Sequence, residues 1–147
     1  MNHAKAFPPH TILIVDDFAP WRRAVQRMFE SETDFKIIGA APDGLDAVQK
    51  AAELHPDIIL MDISLPGLNG FEATRQIRKA SPASRILFLS EKRSPDFINV
   101  AFQVGGSGYV LKSDCPEDLL PGLRAILRGE QFMSRSLIDS RDGLQGA

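Results

Sequence analysis

The stretch PDIILMDISLPGLNG, residues 56–70, decides the fold of this chain. Its first half, Asp57 to Met61, is a short apolar run of the kind that forms a strand buried on both faces. Its second half contains Pro66 and Gly67, which break the chain soon after that strand. Asp62 stands between the two halves. The stretch therefore predicts a buried strand that ends in a carboxylate and a loop.

Four more apolar, β-branched runs of similar length recur along the chain. They are Thr11 to Val15, Phe35 to Ala40, Arg85 to Leu89, and Gly108 to Leu111. Segments with helical spacing separate the runs, the clearest having Phe97, Val100, Ala101 and Val104 at i, i+3, i+4 and i+7. Strands that alternate with helices predict a parallel sheet with helices on both faces. We therefore expect an α/β fold, a doubly wound sheet of five parallel strands with five helices.

The length of the chain indicates one globular domain. A chain of 147 residues buries about two-thirds of the surface that its unfolded form exposes. We assign residues 11–129 to this domain and residues 1–10 to a flexible N-terminal segment. Residues 130–147 are expected to be a C-terminal tail or a truncated linker.

Charge, cysteine content and hydropathy exclude several classes of function. The net charge of −2 offers no general attraction to nucleic acid or anionic membranes, so we expect no direct binding to either. Cys115 has no second cysteine with which to form a disulfide, and the start of the chain has no apolar signal-peptide region. Apolar runs such as Ile58 to Met61 are far too short to span a bilayer. These features predict a cytoplasmic protein.

The residues that follow the strands carry the candidate chemistry. Open parallel sheets bind ligands at the carboxyl ends of their strands. At these ends the first strand runs into Asp16 and Asp17, and the third strand runs into Asp62. Three carboxylates brought together repel one another, which raises their pKa values or requires a cation. Because a hard ion such as Mg²⁺ prefers oxygen ligands, the sequence predicts a magnesium site.

A hydroxyl and an ammonium group follow the last two strands. Ser90 follows the fourth strand and Lys112 follows the fifth. Together with Mg²⁺, the Lys112 ammonium would neutralise charge on phosphoryl oxygens, while the Ser90 hydroxyl donates a hydrogen bond to another oxygen. One carboxylate could be the nucleophile, because phosphoryl transfer needs mostly positioning and charge stabilisation. Asp62, which lies in the middle of the strand order, is best placed for this role.

These strand ends resemble one known family, the CheY-like receiver domains of response regulators. The resemblance covers roughly Thr11 to Gly129. The segments that carry it are ILIVDD at 12–17, PDIILMDISLPGLNG at 56–70, ILFLS at 86–90 and GGSGYVLK at 105–112. The resemblance implies a flavodoxin-like sheet in the order 2-1-3-4-5. It also implies a two-component signalling switch, in which Asp62 receives a phosphoryl group from a sensor histidine kinase or a phosphotransfer protein.

The same resemblance assigns roles to the site residues. Asp17, Asp62 and the main-chain carbonyl of Ser64 would hold Mg²⁺ directly, with Asp16 assisting through water. Lys112 would contact the phosphoryl group.

Two further residues would form the family's switch pair. The hydroxyl of Ser90 would move toward the phosphoryl group, and the ring of Tyr109 would rotate inward behind it. The face formed by the fourth helix, the fifth strand and the fifth helix would then present a changed surface to a partner. A phosphorylation-dependent homodimer is expected, and no enzymatic activity beyond self-phosphorylation and autodephosphorylation.

Taken alone, each site residue also has a simpler interpretation. Asp17 could cap the first helix, and Asp62 could begin the turn that follows its strand. Lys112 could be a solvated surface charge and Ser90 a turn residue. Tyr109 could simply fill the core, as strand aromatics often do. It is their occurrence at one edge of one sheet that favours a shared site.

Two other classes of protein share parts of this pattern. A Mg²⁺-dependent phosphatase of haloacid-dehalogenase type also uses an aspartyl nucleophile after a parallel strand, but it needs a second Asp at the position that Ser64 occupies. A flavin-binding electron carrier shares the strand order. It would need neutral or hydroxyl donors after the first strand, where Asp16 and Asp17 would repel a phosphate.

Some residues depart from the family pattern. Glu91 follows the switch hydroxyl, where a small residue is usual, and we expect its charge to repel phosphodonors and slow phosphorylation unless the loop turns Glu91 into solvent. Pro121 predicts a kink or a late start in the fifth helix. The segment KSDCPEDLLPGLRAILRGEQFMS, residues 112–134, resembles receivers that precede a helix-turn-helix output domain. The sequence leaves open whether the chain is a single-domain regulator or part of a longer DNA-binding one.

Overall fold

Six parallel strands form a single sheet in the computed structural model, which describes residues 8–138. In chain order they are β1 (His10–Val15), β2 (Phe35–Ala41), β3 (Ile58–Met61), β4 (Arg85–Ser90), β5 (Gly108–Leu111) and β6 (Phe132–Met133). Their order across the sheet is β2-β1-β3-β4-β5-β6. The predicted doubly wound α/β architecture is confirmed, and so is the order of its first five strands.

Helices connect the strands and lie on both faces of the sheet. They are α1 (Ala19–Met28), α2 (Gly44–Leu54), α3 (Gly70–Ala80), α4 (Pro95–Gln103) and α5 (Cys115–Leu127). A 3₁₀ turn, Lys112–Asp114, leads into α5. No helix among the described residues is both long enough and apolar enough to cross a lipid bilayer.

The prediction of five strands and five helices was wrong in number. With β6 and the 3₁₀ turn, the described part of the chain has six of each. Strand β6 is only two residues long, too short to show the periodicity that identifies a strand, and it fell within the segment predicted as a tail. The amide of Ser134 continues the pairing by donating to the carbonyl of Tyr109 at 2.9 Å. The remainder of the predicted flexible ends, residues 1–7 and 139–147, lies outside the described residues.

The core has two halves, one on each face of the sheet. Alternate residues of β1 divide between them: Leu13 and Val15 face the side covered by α2, α3 and α4, while Ile12 and Ile14 face α1 and α5. Strand β2 was expected to be buried on both faces, but it is a sheet edge and most of its residues are half-exposed. The four residues of β5 are all buried, and β6 pairs with two of them, Gly108 and Tyr109, along the outer edge of the strand.

Helix α5 begins at Cys115, which excludes the late start near Pro121, one of the two outcomes predicted for this proline; the other, a kink, stays a prediction. Pro116 occupies the first turn, where a missing amide hydrogen costs little. Pro121 is exposed, whereas Leu119 and Leu123 are at most 1% exposed. The burial of this apolar stripe keeps the helix continuous through the proline.

Candidate functional site

The pairing of β1 with β3 brings the acidic residues together. Val15 pairs with Met61, so Asp16 and Asp62 leave neighbouring strands at the same edge of the sheet. The amide of Asp62 donates to the carbonyl of Val15 at 3.0 Å and fixes this arrangement. One carboxylate oxygen from each of Asp16, Asp17 and Asp62 lies within 4.8 Å of the others. The structure thus unites the three carboxylates that the sequence selected, in a group that could hold a metal ion.

The three carboxylates differ in exposure and in their contacts. Asp17 is exposed, whereas Asp16 is 1% and Asp62 8% exposed. Burial, together with the charge of Asp16, raises the pKa of Asp62 from 3.8 to about 6, although the nearby Lys112 ammonium opposes the shift. The amide of Ile63 donates to Oδ1 of Asp62 at 2.9 Å and orients the carboxylate.

Lys112 reaches the carboxylates from the end of β5. Its Nζ donates to Oδ2 of Asp16 at 2.7 Å and lies 3.8 Å from Oδ1 of Asp62. Burial lowers the pKa of Lys112, but the hydrogen bond to Asp16 and the charges of Asp62 and Asp16 outweigh it, so that the pKa is raised overall. The ammonium therefore stays protonated at neutral pH beside the acidic group.

All of these side chains line one cleft of about 820 Å³. Ser64 and Ser90, which the sequence also selected, contribute to its wall. The cleft further contains Phe18, Trp21 and Glu91. It has the size of a small-ligand site, and its lining combines the three carboxylates with the Lys112 ammonium and two further basic residues, Lys92 and Arg93.

Ser90 and Tyr109 both bond to the main chain of Lys92, at the wall of the cleft. Oγ of Ser90 accepts a hydrogen bond from the amide of Lys92 at 3.0 Å, and the hydroxyl of Tyr109 donates to the carbonyl of Lys92 at 2.7 Å. The ring of Tyr109 is fully buried, and burial raises the pKa of its hydroxyl. The two predicted switch residues are therefore linked through one peptide segment of the loop after β4.

Two contacts at the start of α1 were not expected. Asp17 does not cap this helix. The residue immediately before the helix is Phe18, and its amide donates to Oδ1 of Asp16 at 2.9 Å. The ring of Trp21 lies 5.3 Å from Nζ of Lys112. The only sequence signal for Trp21 at this site is its position four residues after Asp17. Trp21 packs against the core and lines the cleft as well.

The sequence pattern of the response regulator receiver domain matches residues 12–124. The chain belongs to this family. It is 35% identical over 129 residues to the nitrate/nitrite response regulator protein NarL of Escherichia coli K12, covering 88% of this chain and 60% of that protein. The chain therefore spans less than two-thirds of the length of that relative.

Solved structures of receiver domains agree in fold. A two-component response regulator of the LuxR family from Aurantimonas sp. SI85-9A1 superimposes with a TM-score of 0.87 at 34% identity, over 95% of this chain and 99% of that one. The response regulator domain of Thermotoga maritima CheB gives a TM-score of 0.74 at 32% identity, over 79% of this chain and 94% of that one. Both likenesses cover most of the described sheet.

Membership of the receiver family defines the class of function. The chain is a regulatory receiver domain of two-component signalling. The phosphatase alternative is not supported, because the matching family is regulatory and Ser64 stands where that mechanism needs a second Asp.

Proposed function

We propose that Asp62 accepts a phosphoryl group from the phosphohistidine of a sensor histidine kinase or phosphotransfer protein. The observation that carries the proposal is the convergence of Asp16, Asp17 and Asp62 within 4.8 Å beneath the Lys112 ammonium. Asp62 lies between its acidic neighbours and the lysine, and it lines the open cleft. A carboxylate in this position can attack phosphorus while its surroundings balance the charge.

Three carboxylates of this spacing fit a divalent cation with oxygen ligands. We propose that Asp17, Asp62 and the carbonyl of Ser64 hold Mg²⁺ and that Asp16 assists through water. When bound, Mg²⁺ would neutralise charge on the phosphoryl oxygens. Asp16 suits an indirect role because both of its oxygens already accept hydrogen bonds, one from the amide of Phe18 and one from Lys112.

Lys112 and Ser90 are proposed to contact the phosphoryl group itself. Lys112 is close enough to Asp62 to reach an added group with a small movement, since only 3.8 Å separates Nζ from Oδ1. The oxygen of Ser90 accepts from the Lys92 amide, and its hydroxyl hydrogen would donate to a phosphoryl oxygen when the side chain moves toward that group. Phosphorylation adds nearly two negative charges and three acceptors, and it favours whichever arrangement supplies these donors.

Tyr109 is proposed to carry this change to the surface formed by α4, β5 and α5. Its hydroxyl is bonded to the carbonyl of Lys92, two residues after Ser90, so a movement of Ser90 alters the anchor of the ring. A partner or a second copy of the chain would recognise the altered face. For receiver domains of this type we propose a phosphorylation-dependent homodimer, and autodephosphorylation as the reset.

Incubation with Mg²⁺ and acetyl phosphate tests the proposal. Intact mass should increase by one phosphoryl group, and Asp62→Asn should abolish the increase. Beryllofluoride, which mimics a phosphoryl group, should bind the wild type and not the variant. If acetyl phosphate fails as donor, a panel of phosphorylated sensor kinases should supply the group. An adduct that persists in Asp62→Asn would overturn the assignment.

A further inference from the structure

The ammonium of Lys112 is held by an aromatic ring as well as by carboxylates. Nζ donates to Asp16 at 2.7 Å, lies 3.8 Å from Asp62, and lies 5.3 Å from the centre of the Trp21 ring. At that distance the negative face of an indole attracts a cation. The side chain of Lys112 is 17% exposed, so solvent screens this contact only in part.

The ring of Trp21 is fixed in place by its own surroundings. Trp21 lies in the first turn of α1, directly after Pro20, and its amide donates to the carbonyl of Phe18 at 3.0 Å. Its side chain packs against the core cluster that contains Val25. The indole is therefore half-buried against the core at the point where it lines the cleft.

Trp21 differs from the carboxylate partners of Lys112 because its ring is neutral and the attraction of that ring for a cation is not directional. A hydrogen bond to Asp16 holds Nζ at one point, 3.8 Å from Asp62. Attraction to an aromatic face tolerates a sliding cation, because it depends on the position of the charge and not on a single lone pair. The ring can hold the ammonium in the cleft while Nζ moves from Asp16 toward Asp62.

We propose that Trp21 is a positioning residue that keeps the ammonium of Lys112 in reach of the group transferred to Asp62. The inference about rate rests on the proposed phosphorylation of Asp62, whereas the inference about position does not. Trp21 itself contacts Lys112 and needs no contact with the phosphoryl group. Its effect on transfer is exerted through the lysine.

Kinetics with acetyl phosphate and Mg²⁺ test the effect on rate. Trp21→Leu keeps an apolar side chain but removes the π face, and we expect phosphorylation to slow about threefold to tenfold. Trp21→Phe retains an aromatic face and should restore the rate to within about twofold of the wild type. Met28→Ala is the matched control, since Met28 also packs from α1 against the same core cluster. It should not slow transfer.

Proton NMR tests the position independently of activity. Ring current should move the Lys112 side-chain resonances upfield in the wild type, and this shift should vanish in Trp21→Leu. Its absence in the wild type would overturn the proposal, even if the leucine variant does not fold.

The kinetic outcomes are equally decisive. Equal slowing by Met28→Ala, or equal rates for the leucine and phenylalanine variants, would mean that Trp21 acts by packing alone. If the wild type takes no phosphoryl group from any donor while the ring-current shift is present, the proposed function fails and the positioning of Lys112 stands.

Discussion

Lys112 is hydrogen-bonded to Asp16 and not to Asp62. Nζ of the lysine lies 2.7 Å from Oδ2 of Asp16, whereas Oδ1 of Asp62 is 3.8 Å away. Because Oδ1 of Asp16 accepts from the amide of Phe18, the whole carboxylate is engaged by the protein. Asp16 thus couples the start of α1 to the end of β5 within the lining of the cleft.

This coupling predicts the effect of Asp16→Asn on metal affinity. The change removes one negative charge beside Asp17 and Asp62, and we expect Mg²⁺ to bind about tenfold to a hundredfold more weakly. Titration of the single tryptophan's emission with Mg²⁺ measures this. Glu53→Gln, at an exposed carboxylate in the last turn of α2, is the control and should bind as the wild type does. An unchanged affinity in Asp16→Asn would show that Asp16 has no part in the metal site.

The raised pKa of Asp62 predicts a pH dependence of stability in the absence of divalent ions. Because burial raises this pKa from 3.8 to about 6, the folded state holds the proton more tightly than the unfolded state. The resulting stabilisation is complete below about pH 4 and is lost as the pH rises through 6.

Asp62→Asn should therefore be more stable than the wild type at pH 8, by on the order of 2 kcal/mol, and this gap should shrink toward pH 4. Urea unfolding in EDTA at several pH values measures it. Ser90→Ala changes a cleft residue without removing an ionisable group, so its profile should run parallel to that of the wild type. A difference in stability between Asp62→Asn and the wild type that does not change with pH would contradict the raised pKa of Asp62.

Gly70 is required by its closeness to Asp62, the residue that follows β3. A Cβ at this position would lie 2.1 Å from the carbonyl oxygen of Asp62, so the backbone must shift. We expect Gly70→Ala to destabilise the fold by about 3 kcal/mol. Gly67 has a positive φ of 70° but open space around it, and Gly67→Ala should cost only about 1 kcal/mol of backbone strain. Thermal or urea unfolding would contradict this account if the two costs were equal.

Ser134, the residue that follows β6, provides the hydrogen-bond acceptor for the amide of Leu111. Its Oγ accepts this hydrogen bond at 2.8 Å, and both residues are at most 1% exposed. Ser134→Ala leaves a buried amide without its acceptor, and we expect a loss of about 1–3 kcal/mol in the free energy of unfolding. The exposed Ser113→Ala is the control and should change it little. Urea titration measures both, and equal midpoints would show that the bond contributes nothing.

Glu91 is exposed and lines the same cleft as Asp62. We expect its charge to repel anionic donors, so Glu91→Ala should speed phosphorylation by acetyl phosphate about twofold to fivefold at low salt. The gain should disappear at high ionic strength, where the charge is screened. A rate that is unchanged at low salt would dismiss this effect of Glu91.

Most of the sheet was predictable because each strand is a short apolar run bounded by turn residues. The ends of the first five strands differ from the prediction by at most one residue. Strand β6 could not be found in this way. Its two residues pair only because the chain turns back after α5, where Phe132 packs against Gly122.

The sequence by itself determined the fold class and the edge at which Asp16, Asp17, Asp62, Ser90 and Lys112 gather. Parallel strands all end at the same edge, so the residues that follow them must meet there whatever the detailed packing. Only the tertiary structure decided which carboxylate holds the lysine, and that an indole lies above it. Lys112 and Asp16 are 96 residues apart, and contacts of that kind depend on side-chain directions that no local pattern encodes.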